Sequence, residues 1–127
     1  METAVETLAA ICLLVTGLSH IIQPRVWAEF FIMLREKEKV GSILAGLLHF
    51  PLGVIIVAFH NIWHGFPLVV TIMGWGLLLK SLVYLVYPKH GMRMLARVSR
   101  ERSWEFVVAG VMAVAISGLI IFSLLTR

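Results

Sequence analysis

His49, Lys80, His20 and Cys12 are residues whose types could do chemistry and which lie in or at the ends of apolar runs. His49 sits in the stretch AGLLHFPLGVIIVAF, residues 45–59. An imidazole there can hold a proton, a ligand or a metal. An ionisable group inside an apolar helix is costly, which makes it a candidate site. Pro51 follows two residues later. It removes one backbone donor and its ring clashes with the Leu47 carbonyl, so a kink is expected. In lipid the freed carbonyl needs a partner from its surroundings. Gly46 and Gly53 would let another helix approach closely. The spacing predicts a small-residue contact surface, with His49 bonding across it to a neighbouring helix.

Lys80 lies about seven residues, roughly 10 Å, from the basic end of its own apolar run. His49 lies about eight residues, roughly 12 Å, from the same side. Their similar depth makes His49, Lys80 and Tyr84 a candidate ligand-binding group, with Ser81 and His20 beside it. All seven acidic residues are Glu, and the nearest candidate counter-ion for Lys80 is Glu105. His20 reads as an interfacial ring closing the first run just before Gln23 and Pro24. His60 and His64 flank a turn, NIWHG, that interrupts the helical spacing a metal would need. No carboxylate or cysteine lies near them in sequence, so no metal site is expected. Cys12 is the only cysteine, which excludes an intrachain disulfide and a multi-cysteine centre. It reads as a small apolar residue. No Ser–His–Asp arrangement or phosphate loop is present, and no catalytic residue is assigned.

The elements that must carry these residues follow from composition. The 127-residue chain is 60% hydrophobic and 14% charged, with a mean hydropathy of +0.95. A soluble domain averages about 45–50% apolar and about 25% charged. The excess apolar surface must face lipid. Apolar runs fall at about 5–23, 41–60, 66–87 and 104–125. Each matches the roughly 20 residues a helix needs to cross a bilayer. The expected fold is all-α: an integral membrane protein, a four-transmembrane-helix bundle forming a single domain over 1–127. The acidic METAVET start is unlike the basic head of a cleavable signal peptide.

Charge sets the expected orientation. Arg25, Arg35, Lys37 and Lys39 lie in one loop, and Lys89, Arg93, Arg97, Arg100 and Arg102 in another on the same side. By the positive-inside rule these loops are cytoplasmic and both termini extracytoplasmic. A bacterial inner (plasma) membrane is the expected location. Basic residues that flank spans point to anionic lipid in the bilayer, and no nucleic-acid partner is expected.

Displacing the sequence by 64 residues lays Pro24 on Pro88, Leu13-Leu14 on Leu77-Leu78, and Ala45-Gly46 on Ala109-Gly110. The chain therefore reads as a tandem repeat of two helical hairpins, 1–64 and 65–127. Its pseudo-axis would run along the membrane normal. The connector 24–40 places Val26, Trp27, Phe30, Phe31 and Leu34 at helical spacing and predicts an interfacial helix with Trp27 at headgroup depth. Met92 and Leu95 do the same more weakly in the basic connector 88–103. Trp63, Tyr84 and Tyr87 fit an interfacial aromatic belt. In the last run Ala109, Ala113 and Ser117, with Gly110 alongside, form a small-residue ridge for close packing.

GLSHIIQPRVWAEFF, followed by a glycine-rich second span, resembles the start of DoxX-like four-helix membrane proteins. In those a first span ends in a Gly…His/Lys…Pro…Phe pattern, matched here by Gly17, His20, Pro24 and Phe30 or Phe31. The resemblance covers the first third of the chain. It implies the four-helix fold, and in so diverse a family it implies no particular reaction.

Three functions are compatible with these residues. The favoured one is a non-catalytic bundle that forms a homo-oligomer or serves as a subunit of a larger membrane complex. The second is a carrier or pore for a small molecule, ion or proton, with His49, Lys80 and Tyr84 as its polar site. The third is a redox subunit in which His20 and His49 hold a haem or a quinone. Only that third reading calls for a cofactor.

Overall fold

A computed structural model describes all 127 residues. The chain is all-helical. Four helices are long and apolar enough to cross a membrane: α1 (Glu2–Ile22), α3 (Glu38–Phe59), α4 (Leu68–Val86) and α6 (Trp104–Thr126). Two shorter ones, α2 (Pro24–Glu36) and α5 (Pro88–Ala96), cap one end of the bundle. The boundaries follow from local chemistry. Pro24 and Pro88 occupy the first positions of α2 and α5, where a missing N–H costs nothing. The residue before a proline is pushed out of the helical region. Gln23 (φ −128°, ψ 53°) and Tyr87 (φ −119°, ψ 71°) accordingly end α1 and α4. Gly65, at φ 64°, takes the left-handed backbone that the α3–α4 turn requires. α3 continues as helix through Pro51, which is exposed on the outside of the bundle.

The long helices pack as two close pairs, α3 on α4 and α1 on α6, and α1 meets α3 only sparsely. The two long helices of each sequence half are therefore not each other's main partners. Small residues decide the pairing, because they set where backbones can touch. A Cβ at Gly110 would lie 2.6 Å from the Gly17 carbonyl oxygen, so only glycine allows that α1–α6 crossing. A Cβ at Gly53 would lie 2.8 Å from the Leu78 backbone nitrogen on α4. Each pair carries one buried serine bond. Ser42 Oγ donates to the Tyr84 carbonyl at 2.8 Å, and Ser117 Oγ donates to the Ala10 carbonyl at 2.8 Å. Such bonds join helices that lipid gives no hydrophobic reason to associate. The packing ridge of α6 is shifted from the expected one. Gly110, Ala113 and Ser117 face α1, whereas Ala109 is turned outward, since it sits about 100° round the helix from Gly110.

Two small cores result. One, at the turn end, joins Val5, Ala9, Ala10, Ile56, Val70 and Ile120. The other, beneath α2 and α5, joins Leu34, Ala45, Tyr84 and Leu95. Large apolar side chains such as Ile11, Val15, Leu47, Leu79 and Phe122 point outward, as a lipid-facing surface requires.

Candidate functional site

Between the two cores lies a cleft of about 360 Å³. Its walls come from α1, α2, α3 and α4 and are mostly apolar, with Leu13, Leu52 and Leu77 among them. Two of the sequence-predicted residues, His20 and His49, line it together, joined by Cys12 and Thr16. On α1 the spacing Cys12, Thr16, His20 places one residue per turn on a single face. His20 is thus a wall of the cleft. Cys12 also faces the cleft, in a half-buried position.

Each histidine is fixed by its own helix. His20 Nδ1 donates to the Thr16 carbonyl at 2.7 Å, and His49 Nδ1 donates to the Ala45 carbonyl at 2.9 Å. A carbonyl can only accept, so the proton of each neutral ring is on Nδ1 and Nε2 is left as an acceptor. The expected bond from His49 across to another helix is replaced by this local one. The carbonyl four residues back is within reach of the ring on the same helix face, so no neighbour is needed.

Aromatic rings hold both imidazoles in place. Trp27 stacks on His20 with centroids 4.2 Å apart and an interplanar angle of 18°. Its indole N–H donates to Ser19 Oγ at 2.8 Å. Phe106 packs against His20 at 5.5 Å and stacks on Phe31 at 5.8 Å. Trp27 and Phe31 line the cleft as well. The amphipathic face of α2 therefore folds inward and closes the connector end of the cleft. The ring of Tyr84 lies nearly parallel to that of His49, 6.5 Å away. Tyr84 is buried and so is not part of an interfacial belt, whereas Trp63 and Tyr87 are exposed.

Ser81 and Lys80 are not among the residues that line the cleft. Ser81 Oγ donates to the Leu77 carbonyl of its own helix at 2.6 Å. Lys80 is exposed on α4, one turn beyond Leu77 on the stripe that lines the cleft. The chain's ion pairs are Glu6–His60, Glu6–Arg127, Glu29–Arg100 and Arg102–Glu105, and none takes Lys80. Glu105, the expected counter-ion, is instead held by Arg102 at 2.5 Å.

A second polar cluster at the turn end was not anticipated from sequence. His60 and Glu6 are 0% and 1% exposed, and His60 Nε2 meets Glu6 Oε1 at 3.0 Å. Thr71 Oγ donates to the Ile62 carbonyl at 2.8 Å and accepts from the Ile62 N–H at 3.1 Å. Its one proton is thereby used, so in its 3.2 Å contact with His60 Nδ1 the ring must be the donor. Both nitrogens of His60 therefore donate, one to Thr71 and one to the Glu6 carboxylate. The half-exposed Arg127 guanidinium closes on the other side of Glu6, bonding both carboxylate oxygens. The cluster ties α1, the α3–α4 turn, α4 and α6 together at one point. The signal in the sequence was Glu6 itself, a carboxylate in helical register with Ala9, Ala10, Leu13 and Gly17 on the buried side of α1. Its partner lies 54 residues away, which no local spacing reveals.

No protein-family model, curated protein or solved structure matches this chain.

Proposed function

We propose that this chain is a non-catalytic membrane module that holds a small lipophilic molecule in the cleft between its helix pairs, with His20 and His49 as the polar anchors. The observation that carries the reading is the matched use of the two rings. Each gives its Nδ1–H to its own helix, and each lines the same apolar cleft. A second-sphere bond that fixes the tautomer and aims the other nitrogen is how proteins prepare an imidazole to receive a ligand. The matching ligand is apolar and brings hydrogen-bond donors, as the hydroxyls of a phenol or quinol do, or an iron porphyrin whose metal takes an imidazole nitrogen. A mostly apolar cavity with a few convergent polar groups has the character of a small-molecule site. Neither ring is bonded to a hydroxyl, thiol or carboxylate that it could activate, which favours holding over catalysis. The carrier reading is weaker, because Lys80 does not itself line the cleft.

Native mass spectrometry of the protein released gently from its own membrane tests this. Wild type is expected to retain one molecule of defined mass, and the His20→Leu/His49→Leu variant to lose at least about 90% of it while keeping its helical circular dichroism. That loss corresponds to more than about 1.4 kcal/mol of binding. A wild type that carries nothing overturns the reading.

One observation favours a second reading, assembly as a homo-oligomer or as a subunit of a larger complex. Gly76 on α4 and Gly118 on α6 are exposed, with nothing within 4 Å of where a Cβ would lie. Glycine costs a helix about 1 kcal/mol against alanine, and within one chain these two gain no close contact in return. A helix from another subunit could use the space. The same mass spectrum reads the oligomer.

The reading includes a duplicated origin. Under displacement by 64 residues Gly46 becomes Gly110, and His20 and Ile21 become Tyr84 and Leu85. Gly46 meets Tyr84 and Leu85, while Gly110 meets His20 and Ile21. The α3–α4 pair likewise corresponds to the α6–α1 pair, which supports two copies of a helix–connector–helix unit about an axis along the membrane normal. The basic connectors favour a cytoplasmic α2 and α5 in a bacterial plasma membrane.

A further inference from the structure

The connector end carries two charged clefts of different character. One lies between α2 and the segment before α6 and is lined by Arg25, Glu29, Arg100 and Glu101, two charges of each sign. The other, of about 410 Å³, lies where α4 leaves the membrane-length stretch and α5 begins. It is lined by Lys39, Tyr87, Lys89, His90 and Arg93, over an apolar edge formed by Val86. No carboxylate lines it, and none of its cations takes part in an ion pair of the chain. The contrast is local. Displacement by 64 residues carries Glu29 onto Arg93, so the position that balances charge in one half adds to it in the other.

Three cations gathered without counter-charge repel one another, and an anion is the natural complement. The site's position narrows that anion. Val86 and Val40 are large apolar residues left exposed beside it, and below them Ile43, Leu44, Leu79 and Leu82 continue the exposed apolar faces of α3 and α4. Lys80 is seven residues before Tyr87, on the same face of α4, roughly 10 Å deeper. It is exposed and has no ion-pair partner in the chain. A ligand with a phosphate at the top, ester carbonyls beneath it and long apolar chains below that would meet each of these features in order. We infer that this cleft is a binding site for the phosphate headgroup of an anionic phospholipid, with Lys39, Lys89 and Arg93 around the phosphate and the acyl chains against the exposed face below Val86. Tyr87 and His90 add donors at the rim. Lys80 reaches the ester region, which gives a cation within a span a partner from the lipid.

The test uses the full chain in vesicles of phosphatidylcholine mixed equally with phosphatidylglycerol, followed by extraction and native mass spectrometry. Wild type is expected to retain phosphatidylglycerol over phosphatidylcholine by at least about 10-fold. Each cation near a membrane surface is worth roughly 5-fold in affinity for anionic lipid. Arg93→Glu, which restores the balance seen in the other half, should abolish the preference, and Lys39→Gln/Lys89→Gln should do the same. Arg25→Gln/Arg100→Gln removes two cations from the balanced cleft and should leave the preference intact. Equal retention of both lipids by wild type overturns the proposal. So does equal loss in the Arg25/Arg100 control, which would make the effect general surface charge. Displacement of phosphatidylglycerol by inorganic phosphate in millimolar excess would identify a site for free phosphate rather than for lipid and would overturn the lipid assignment. Circular dichroism of each variant separates lost binding from lost fold, and Arg93→Glu and Lys39→Gln/Lys89→Gln each test the site independently.

Discussion

At the scale of single residues, the chain spends its ionisable groups in two different ways. His20 and His49 are bonded only to their own helices, which leaves one nitrogen of each neutral ring as an acceptor. His60 is the opposite. Both of its nitrogens are used, and its buried neighbours Glu6 and Thr71 are used as well. A buried pair of this kind is expensive to break from one side, because the survivor keeps its desolvation cost and loses its partner. Glu6→Gln is therefore expected to destabilise the bundle by about 3–5 kcal/mol. Glu6→Leu/His60→Phe should recover most of that loss, since no buried charge is then left behind and Arg127, 45% exposed, can turn to water. Thermal unfolding of both variants in detergent measures the loss and its recovery. A Glu6→Gln protein as stable as wild type would show that the cluster contributes little. In the sequence Glu6 does not stand out, because it sits among acidic terminal residues and only its burial separates it from Glu2.

At the scale of elements, prolines and glycines act where their stereochemistry demands. Pro24 and Pro88 start α2 and α5, and the residues before them end the long helices. Those limits were legible, because proline's missing donor and the restriction on its predecessor act within a few residues. The α3–α4 pairing follows from the short NIWHG turn that joins them, but the α1–α6 pairing was not legible, since Gly17, Gly53 and Gly110 look alike in a sequence that has ten glycines. Their consequences differ. Gly110→Leu would drive a side chain into the α1 backbone, and Gly53→Leu into that of α4. Each is expected to cost about 3 kcal/mol or more, at the upper end for overpacking. Gly76→Ala meets open space and should stabilise the isolated helix by about 0.5–1 kcal/mol. Unfolding midpoints of the three variants rank these effects, and a tolerated Gly110→Leu would refute the α1–α6 crossing. The amphipathic pattern of α2 was equally readable, but its destination was not. The same stripe that suits a membrane surface also suits a lid over His20.

At the scale of the whole molecule, apolar surface and charge divide cleanly. Large apolar residues cover the outside of the four long helices, and most of the basic residues gather at the end carrying α2 and α5. That distribution yields a topology prediction. In a Cys12→Ser background, a cysteine placed at Lys37 should be labelled only from the cytoplasmic side and one placed at His64 only from the outside. An impermeant maleimide applied to intact cells and to inverted vesicles reads the two positions. Labelling of both from one side would overturn the orientation.

The sequence by itself determined the four membrane-length helices, the two connecting helices and their proline boundaries. It did so because hydropathy, helical period and proline stereochemistry are local properties of neighbouring residues. Only the tertiary structure decided that α1 pairs with α6, that His20 joins His49 in one cleft, and that Glu6 reaches His60. Those outcomes depend on contacts between residues far apart in sequence, such as Glu6 and His60, 54 positions apart, and Ala10 and Ser117, 107 apart. In lipid, where apolar burial gives little guidance, such contacts are chosen by backbone fit at a few glycines and by single polar bonds.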